Sequence, residues 1–326
     1  MKNLDEATAE RVRPPLAWLA EHGAGDVAGP PPDLLRRFLT VELSRHWPGD
    51  HRERHEVAWA LGDLFEEAGL AQQAALCRSA VVHDTVAVWH WVRSFPDVPA
   101  GFWEPALGTL EGRPQVPHRA ALSLSSARAL LEIVGEGLTL TPTGELPLPL
   151  VLALDDRFRW TEEFPWMSAG QEADIAPLRF LHQHLLAQRL LHREGDVLVR
   201  TPLGAECTAS TAQLWRVVVD PAPRWSQEFE RDALGVTAAS VLRSADFTLG
   251  RVGEQTGHVL AGKWQPAARG SVIDGAVPVV QTWYQLGVPL GWWDTGRGPA
   301  DRRPNPFGRA AAAAVFRAVA GGTVRG

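Results

Sequence analysis

The amino-acid sequence predicts a mainly α-helical protein with small β-hairpins. Apolar residues recur at helical spacing over the first third of the chain, and residues 122–204 alternate helical segments with short strand segments. A five-residue motif also occurs three times, as LTPTG at 140–144, RTPLG at 200–204 and PNPFG at 304–308. Each copy follows an apolar stretch and precedes a possible helix.

Composition bounds the class of protein. With 326 residues, the chain exceeds a typical single domain, so we expect two or three packed units. Apolar residues make up 45% and charged residues 21%, and no run of about 18 apolar residues predicts a membrane-spanning helix. The N-terminus lacks an apolar secretory core, which favours a cytoplasmic protein without a membrane partner. Two cysteines cannot make a disulfide framework.

Charge is distributed unevenly along the chain. The net charge is −6. From Phe247 to the end, 9 Lys and Arg oppose 4 Asp and Glu, which gives +5; the remainder has 23 against 34, which gives −11. A mildly basic tail on an acidic body argues against nonspecific coating of nucleic acid, but it leaves room for a local anion-binding face.

The first third of the chain predicts a helical domain over 1–95. Breaks rich in Gly and Pro separate helical segments at 1–22, 34–47, 51–69 and 71–95. Residues 96–121 are rich in Pro and Gly and predict a connector with a short helix at most.

Residues 122–215 predict a compact second domain. Its segments are, in order, a helix, a short strand, two helices and a β-hairpin with Gly195 in the turn. That is the order of a winged helix, the helix-turn-helix variant with a β-hairpin wing. In the repeated motif, Thr suits a strand end, Pro removes a ladder donor, and Gly supplies the positive φ of the reversal into the next helix.

The third motif copy predicts a second, degenerate winged-helix-like domain over 216–326, with its elements across roughly 233–321. VPVVQTWYQLG predicts a helix, VPLGWWD a strand, TGRGPADRRPN an open loop and PFGRAAAAAVFRAV a closing helix.

Several stretches resemble one protein family. VGEGLTLTPTGELPLPLV, APLRFLHQHLLAQRLLHREGDVLVRTPLG and STAQLW are similar to a family of uncharacterised cytosolic proteins from high-GC actinobacteria and relatives. That family has a strand ending in LT, a Gly-x-Leu-Pro-Pro helix start, a long helix and a hairpin ending in LTxxG; this chain has Leu148 where the second proline usually falls. Residues 34–92 resemble the family's helical N-terminal part. The resemblance covers most of the chain and implies a winged-helix fold, but no activity.

The long helix of the winged-helix domain is the candidate for contacting double-stranded DNA. In this fold, the third helix commonly enters the major groove. Arg179, His182, Gln183 and Arg189 fall within about a third of the helix circumference. Arg and Gln side chains can bind guanine and adenine edges bidentately. Leucines at 186 and 190 interrupt the same arc.

The two β-hairpin wings are the candidates for contacting phosphates. The first wing offers Arg193 and Arg200, although the neighbouring Glu194 and Asp196 would repel phosphates. The tail loop is the best local basic patch in the chain, and it lies beside a Trp pair at 292–293. Its arginines are Arg297, Arg302 and Arg303. The alternative interpretation is that the charges of the loop only solvate it.

The sequence predicts no catalytic, cofactor-binding or metal-binding residue and no small-molecule substrate. GHVLAGKW (257–264) has phosphate-loop spacing, but Trp264 supplies no hydroxyl for magnesium. His51 and His55 are four residues apart, but the acid of a zinc-protease motif is misplaced in HRERH. Cys77 and Cys207 favour structural thiols.

Three functions stay open at this stage. The first hypothesis is a non-catalytic, cytoplasmic protein that binds DNA or associates with it. The alternative is a protein–protein adaptor whose winged helices dock onto other subunits of a larger assembly, which the acidic body and the leucine-interrupted helix face favour. A weaker alternative is an enzyme with no recognisable site.

Overall fold

The computed structural model is mainly helical and carries one small antiparallel sheet. It describes residues 6–23, 29–110, 116–164, 167–168, 170–221, 225, 227–243, 249–265, 271–294 and 302–321. The chain divides into two compact units, Met1–Pro96 with Ala320–Gly326 and Asp97–Val319. Over the described ranges, no helix is both long enough and apolar enough to cross a lipid bilayer.

The first unit is built from helices whose apolar faces meet in a common core. They are α1 (Glu6–Glu21), α2 (Pro32–Arg37), a π-helix (Phe38–His46), α3 (His51–Glu67), α4 (Ala71–Cys77) and α5 (Ala80–Arg93). Leu35, Phe38 and Leu61 are fully buried in this core. The side chain of Asp50 accepts a hydrogen bond from the amide of Glu53, and the reciprocal bond completes a capping box that begins α3.

The prediction of one helix over 71–95 is wrong, because the segment forms two helices. Ser79 takes an extended conformation between α4 and α5, with ψ of 143°. The preceding residue, Arg78, forms ion pairs with Asp63 and Glu66 of α3. Hydrophobic periodicity continues across this break, and so the sequence pattern did not reveal it.

The second unit contains most of the helices and all the strands. The helices are α6 (Ala100–Gly108), α7 (Ala120–Ser123), α8 (Ser125–Val134), α9 (Leu148–Phe158), α10 (Trp160–Glu163), α11 (Ala176–Ala187), α12 (Pro202–Ala209), α13 (Thr211–Val218), α14 (Glu228–Arg243), α15 (Leu249–Ala261), α16 (Val272–Gly287) and α17 (Pro306–Gly321). The strands are β1 (Leu138–Thr139), β2 (Leu191–Glu194) and β3 (Val197–Arg200). Helices α14, α15 and α16 pack together, and α6 packs on α14.

The predicted β-hairpin is confirmed. Strands β2 and β3 pair antiparallel, with Leu191 opposite Arg200 and Glu194 opposite Val197. Gly195 in the turn has a φ of 65°. Strand β1 pairs with the other edge of β3. From α8 to β3, the elements follow the order that the sequence predicts, with the short α10 and a 3-10 turn before α11.

Helices α11 and α16 end in the same way. After α11, the Leu190 amide donates a hydrogen bond of 2.9 Å to the Leu185 carbonyl. After α16, the Trp292 amide donates one of 2.9 Å to the Gly287 carbonyl. In both places, the residue before the donor has a positive φ, 56° in the first and 60° in the second. These are the features of a Schellman helix end.

The helices that follow also start in the same way. Thr201, the N-cap of α12, donates its amide to the Leu190 carbonyl at 3.1 Å, and its hydroxyl accepts from the amide three residues on at 3.0 Å. Asn305 precedes α17, donates its amide to the Trp292 carbonyl at 3.0 Å, and accepts from the amide three residues on at 3.1 Å. The second and third motif copies are therefore one structural device used twice.

The predicted role of the motif glycine is right for the first copy and wrong for the other two. Gly144 has a φ of 82°, as expected for a reversal. Gly204 and Gly308 do not have a positive φ. A Cβ atom at these positions would overlap the carbonyl oxygens of Leu190 and Trp292. Glycine is therefore needed there because the helix start lies directly against another backbone segment.

The strand predicted at 288–294 is wrong. Residues 288–291 form a turn, and in the described residues this region pairs only through an isolated bridge between Trp293 and Pro304. The amide of Asp294 also donates to the Arg303 carbonyl at 2.9 Å. This is the base of a hairpin and not a regular strand pair. The rest of the predicted loop, 295–301, lies outside the described residues.

Candidate functional site

Helix α11, which the sequence predicts to contact base edges, is largely buried. Leu178, Leu181 and Leu185 are fully buried, and α8 and α16 pack against the helix. The structure describes every residue of α11, and only Gln183 is exposed. Arg179 is half-buried, with its guanidinium carbon 5.4 Å from the centroid of its neighbour's phenyl ring.

The expectation that His182 lies on the DNA-facing surface is wrong. His182 is 4% exposed, and its Nδ1 lies 2.8 Å from Oε1 of Glu172. The other carboxylate oxygen of Glu172 accepts a hydrogen bond of 2.7 Å from the Leu146 amide. The sequence held a signal for this burial, because His182 falls on the same helical stripe as Leu178 and Leu185.

The first wing presents carboxylates at its tip. Glu194 and Asp196 are exposed on either side of the turn glycine. Arg193 is exposed too, but its Nε donates to the Gly195 carbonyl at 2.6 Å and its guanidinium lies against Gly144. Arg200 is half-buried. The two predicted wing arginines are therefore present, but the tip between the strands is acidic.

The expectation that Arg302 is available to contact phosphates is wrong. Arg302 is 3% exposed, forms an ion pair with Glu163 (2.6 Å), and places its guanidinium carbon 4.4 Å from the ring centroid of Phe164. Its neighbour Arg303 is exposed. Arg297, the remaining arginine of the predicted patch, lies outside the described residues.

Helix α16 corresponds to α11 by the repeated helix end, but it is a core helix. It carries no Lys or Arg and one Asp. Val280, Trp283 and Tyr284 are buried. Burial raises the pKa of the Tyr284 hydroxyl to about 12. Helix α16 packs against α11, so each helix covers part of the other.

Helix α9 carries an apolar face that the described residues leave uncovered. Leu148 and Leu152 are 46% and 44% exposed, one helical turn apart. Pro149 and Ala153 beside them are also exposed. Analysis of the sequence missed this face, because two leucines four residues apart on a helix usually indicate a core-facing stripe.

The region around α9 is acidic. Residues 122–221 contain 13 Asp and Glu against 8 Arg, which gives −5. One of these arginines, Arg159, forms an ion pair with Glu162 at 2.7 Å. The segment that carries this surface therefore has a net negative charge.

The residues considered for nucleotide binding, metal binding and nucleophilic catalysis have structural contacts. Helix α15 continues through most of the phosphate-loop-like stretch, and Lys263 Nζ forms an ion pair with Asp232 at 2.6 Å. His55 contacts His83 of α5. Cys207 is buried, and burial raises the pKa of its thiol. In the part of the chain that the structure describes, no three His, Cys, Asp or Glu side chains are placed to hold a metal ion.

The predicted DNA-binding residues thus divide into an exposed set and a buried set. Gln183, Arg189, Arg193 and Arg303 are exposed, whereas His182 and Arg302 are buried. Of the other three, Arg179 and Arg200 are half-buried and Arg297 lies outside the described residues. The resemblance to an actinobacterial family stays a prediction. No protein-family model, no curated protein and no solved structure matches this chain.

Proposed function

We propose that this chain is a non-catalytic adaptor that docks onto other proteins through tandem winged-helix units. The observation that carries the proposal is the packing of α11 against α16. A winged helix that binds DNA through its third helix inserts that helix into the major groove. A helix that another helix covers has no free face of the necessary width.

The tandem interpretation rests on the repeated hairpin base. At the end of both α11 and α16, a backbone carbonyl accepts a hydrogen bond from the amide five residues later, and the residue before that amide has a positive φ. An antiparallel bridge and a capped helix follow in both places. This supports one winged-helix unit over 122–215 and a degenerate one over 216–326. The two regular wing strands of the first unit have only a bridge as their counterpart in the described part of the second.

Charge also favours protein over nucleic acid as the partner. DNA affinity comes largely from cationic side chains that neutralise phosphates. Helix α16 has no cation, and the tip of the first wing carries Glu194 and Asp196. Arg302 has its own carboxylate partner in Glu163.

The docking surface that we propose is the exposed face of α9, formed by Leu148, Pro149, Leu152 and Ala153. Its occupant is a partner protein that presents an apolar helix flanked by basic residues, because the segment that carries the face, residues 122–221, has a net charge of −5. A second copy of this chain fits less well, since two such regions would repel each other.

The experiment compares the proteins that co-purify with the wild type and with two variants, from cells that naturally produce the chain. Leu152→Glu places a charge in the proposed surface, and Leu122→Glu is the matched control, because Leu122 is 65% exposed on α7. We expect at least one protein to co-purify with the wild type and Leu122→Glu and to be lost with Leu152→Glu. The purified partner should then bind the wild type directly, and binding should weaken as salt rises.

Two outcomes would contradict the proposal. One is an identical set of co-purified proteins for the wild type and both variants. The other is a wild-type chain that forms dimers in sedimentation experiments and loses them in Leu152→Glu, which would assign the face to a second copy.

DNA binding is the second candidate function, and the exposure of Gln183 on α11 and of Arg189 favours it, although Arg189 lies two residues beyond the end of that helix and not on it as predicted. Under this alternative, affinity for random duplex DNA falls steeply as salt rises above about 50 mM. Arg303→Ala should weaken binding to all sequences, and Arg189→Ala should cost about 1–3 kcal/mol mainly at one base. The adaptor proposal predicts no binding to random duplex DNA, even at about 50 mM salt.

A further inference from the structure

Helices α3 and α5 of the first unit meet along a row of aromatic rings. His51, His55 and Trp59 lie one turn apart on α3. They face His83 and His90 of α5: the Trp59 and His83 centroids are 5.0 Å apart, and those of His51 and His90 are 4.2 Å apart. The row contains four imidazoles, which are the side chains that change charge nearest to neutral pH.

At the centre of the row, His55 and His83 share one hydrogen bond. Their Nδ1 atoms are 2.7 Å apart. The ring centroids are 5.0 Å apart and the ring planes differ by 22°, so the rings meet edge to edge in nearly one plane. This is the geometry of an N–H···N bond, in which one Nδ1 donates and the other accepts. The space between the two nitrogens holds one proton and not two.

The environment of the pair disfavours positive charge. His55 is 9% exposed, and both Nε2 atoms are buried without a hydrogen-bond partner in the described part of the chain. Burial, together with repulsion from the neighbouring His83 and His51, lowers the pKa of His55 to about 4. Burial also lowers the pKa of His83, against an opposing effect of Asp84.

Several charged groups on these elements already have partners of their own. Arg54 and Arg93 donate to backbone carbonyls, and Glu56 already forms ion pairs with Arg11 and Arg52. The charged and titratable groups on the elements packed around the row are Glu6, Glu10, Arg11, Arg13 and Glu21 of α1, Glu42, Arg45 and His46 of the π-helix, Arg52, Glu53, Arg54, Glu56, Asp63, Glu66 and Glu67 of α3, Arg78 after α4, and Asp84, His90 and Arg93 of α5.

We propose that the His55–His83 pair is an acid-sensitive latch that holds α3 against α5 at neutral pH and releases it when both rings are protonated. With two protons on the pair, two N–H groups would face each other across the seam, and the cations would repel. The unfolded chain binds these protons near pH 6.5, whereas folded His55 resists them down to about pH 4. Stability is therefore complete above pH 6.5 and is lost as the pH falls toward 4.

The test is peptide-resolved hydrogen exchange of the full chain at pH 7.5 and pH 5.0, in EDTA and with exchange times corrected for the intrinsic rate. From the shift of His55 alone, opening of α3 and α5 should increase about 30-fold at pH 5.0. Peptides from α14, in the other unit, should change less than about twofold.

Variants separate the latch from general acid sensitivity. In His55→Asn with His83→Asn, two amides can form a similar hydrogen bond but do not titrate, so the pH dependence in α3 and α5 should disappear. The matched control is His22→Gln, because His22 is exposed on the same unit, and it should behave as the wild type. Equal pH dependence in all three proteins would overturn the proposal.

Titration of the imidazole signals by NMR tests the proposal without any variant. We expect the two rings to titrate together, at least one of them below pH 5, and α3 amide signals to shift with the second proton. Two independent simple titrations near pH 6.5 would overturn the latch.

Discussion

The three motif glycines show how one residue type serves two physical purposes. Gly144 closes a turn in which its amide donates to the Thr141 carbonyl at 2.8 Å, and its φ of 82° is one that other residues adopt only with strain. Gly204 and Gly308 lie at helix starts, and they lack a Cβ atom because backbone oxygens occupy that space.

This difference predicts the effect of Gly204→Ala. The new Cβ would overlap the Leu190 carbonyl oxygen, so the start of α12 has to shift. We expect the free energy of unfolding of the second unit to fall by about 2–3 kcal/mol. Urea unfolding followed by circular dichroism measures it.

The matched control is Gly101→Ala in α6 of the same unit. No atom lies within 4 Å of the added Cβ there, and the residue is helical. Alanine should leave stability unchanged or raise it by about 0.5–1 kcal/mol. Equal losses in both variants would show that the close backbone approach at Gly204 is not what requires glycine.

At the scale of elements, the start of α12 and the start of α17 have caps that form the same hydrogen bonds. Thr201 and Asn305 each donate an amide to the carbonyl at the hairpin base and accept an amide from the first helical turn. Both cap positions are followed by proline, whose fixed φ suits the first residue of a helix.

The shared cap predicts that the two residues can be exchanged. Thr201→Ala removes the cap and should lower the free energy of unfolding by about 1 kcal/mol. Thr201→Asn restores the acceptor and should recover at least half of that loss. Measurement by urea unfolding in parallel with the wild type checks both values, and an asparagine variant as unstable as the alanine variant would contradict the equivalence of the two caps.

At the scale of the whole molecule, each compact unit encloses one buried thiol. Cys77 belongs to the first unit and Cys207 to the second, and both are fully buried. Burial raises the pKa of the Cys77 thiol to about 12, so almost no reactive thiolate forms at pH 8.

The two thiols should therefore report the opening of each unit separately. In the native protein at pH 8, we expect iodoacetamide to label each cysteine at less than about a tenth of its rate in urea. Mass spectrometry of the labelled peptides then gives one unfolding curve for each unit. Rapid native labelling of Cys77 would contradict the packing of α4 in the core.

Local patterns predicted much of the secondary structure. The helices of the first unit, the order of elements from α8 to β3, and the wing turn at Gly195 follow from helical period, alternation and turn residues. The prediction of a strand at 288–294 was wrong, because a short apolar run has no distinguishing period. Residues 288–291 form a turn instead. The break at Ser79 was not predicted, because the hydrophobic period continues across it, and the ion pairs of the adjacent Arg78 with α3 are not local in sequence.

The sequence by itself determined most helix boundaries and the position of the hairpin turn, because these depend on residues within a few positions of one another. Only the tertiary structure decided which helix faces meet solvent. It placed His182 in the core, Arg302 against Glu163, and Leu152 on the surface. Periodicity defines the faces of a helix, but the element that covers each face comes from a distant part of the chain, as α16 does for α11.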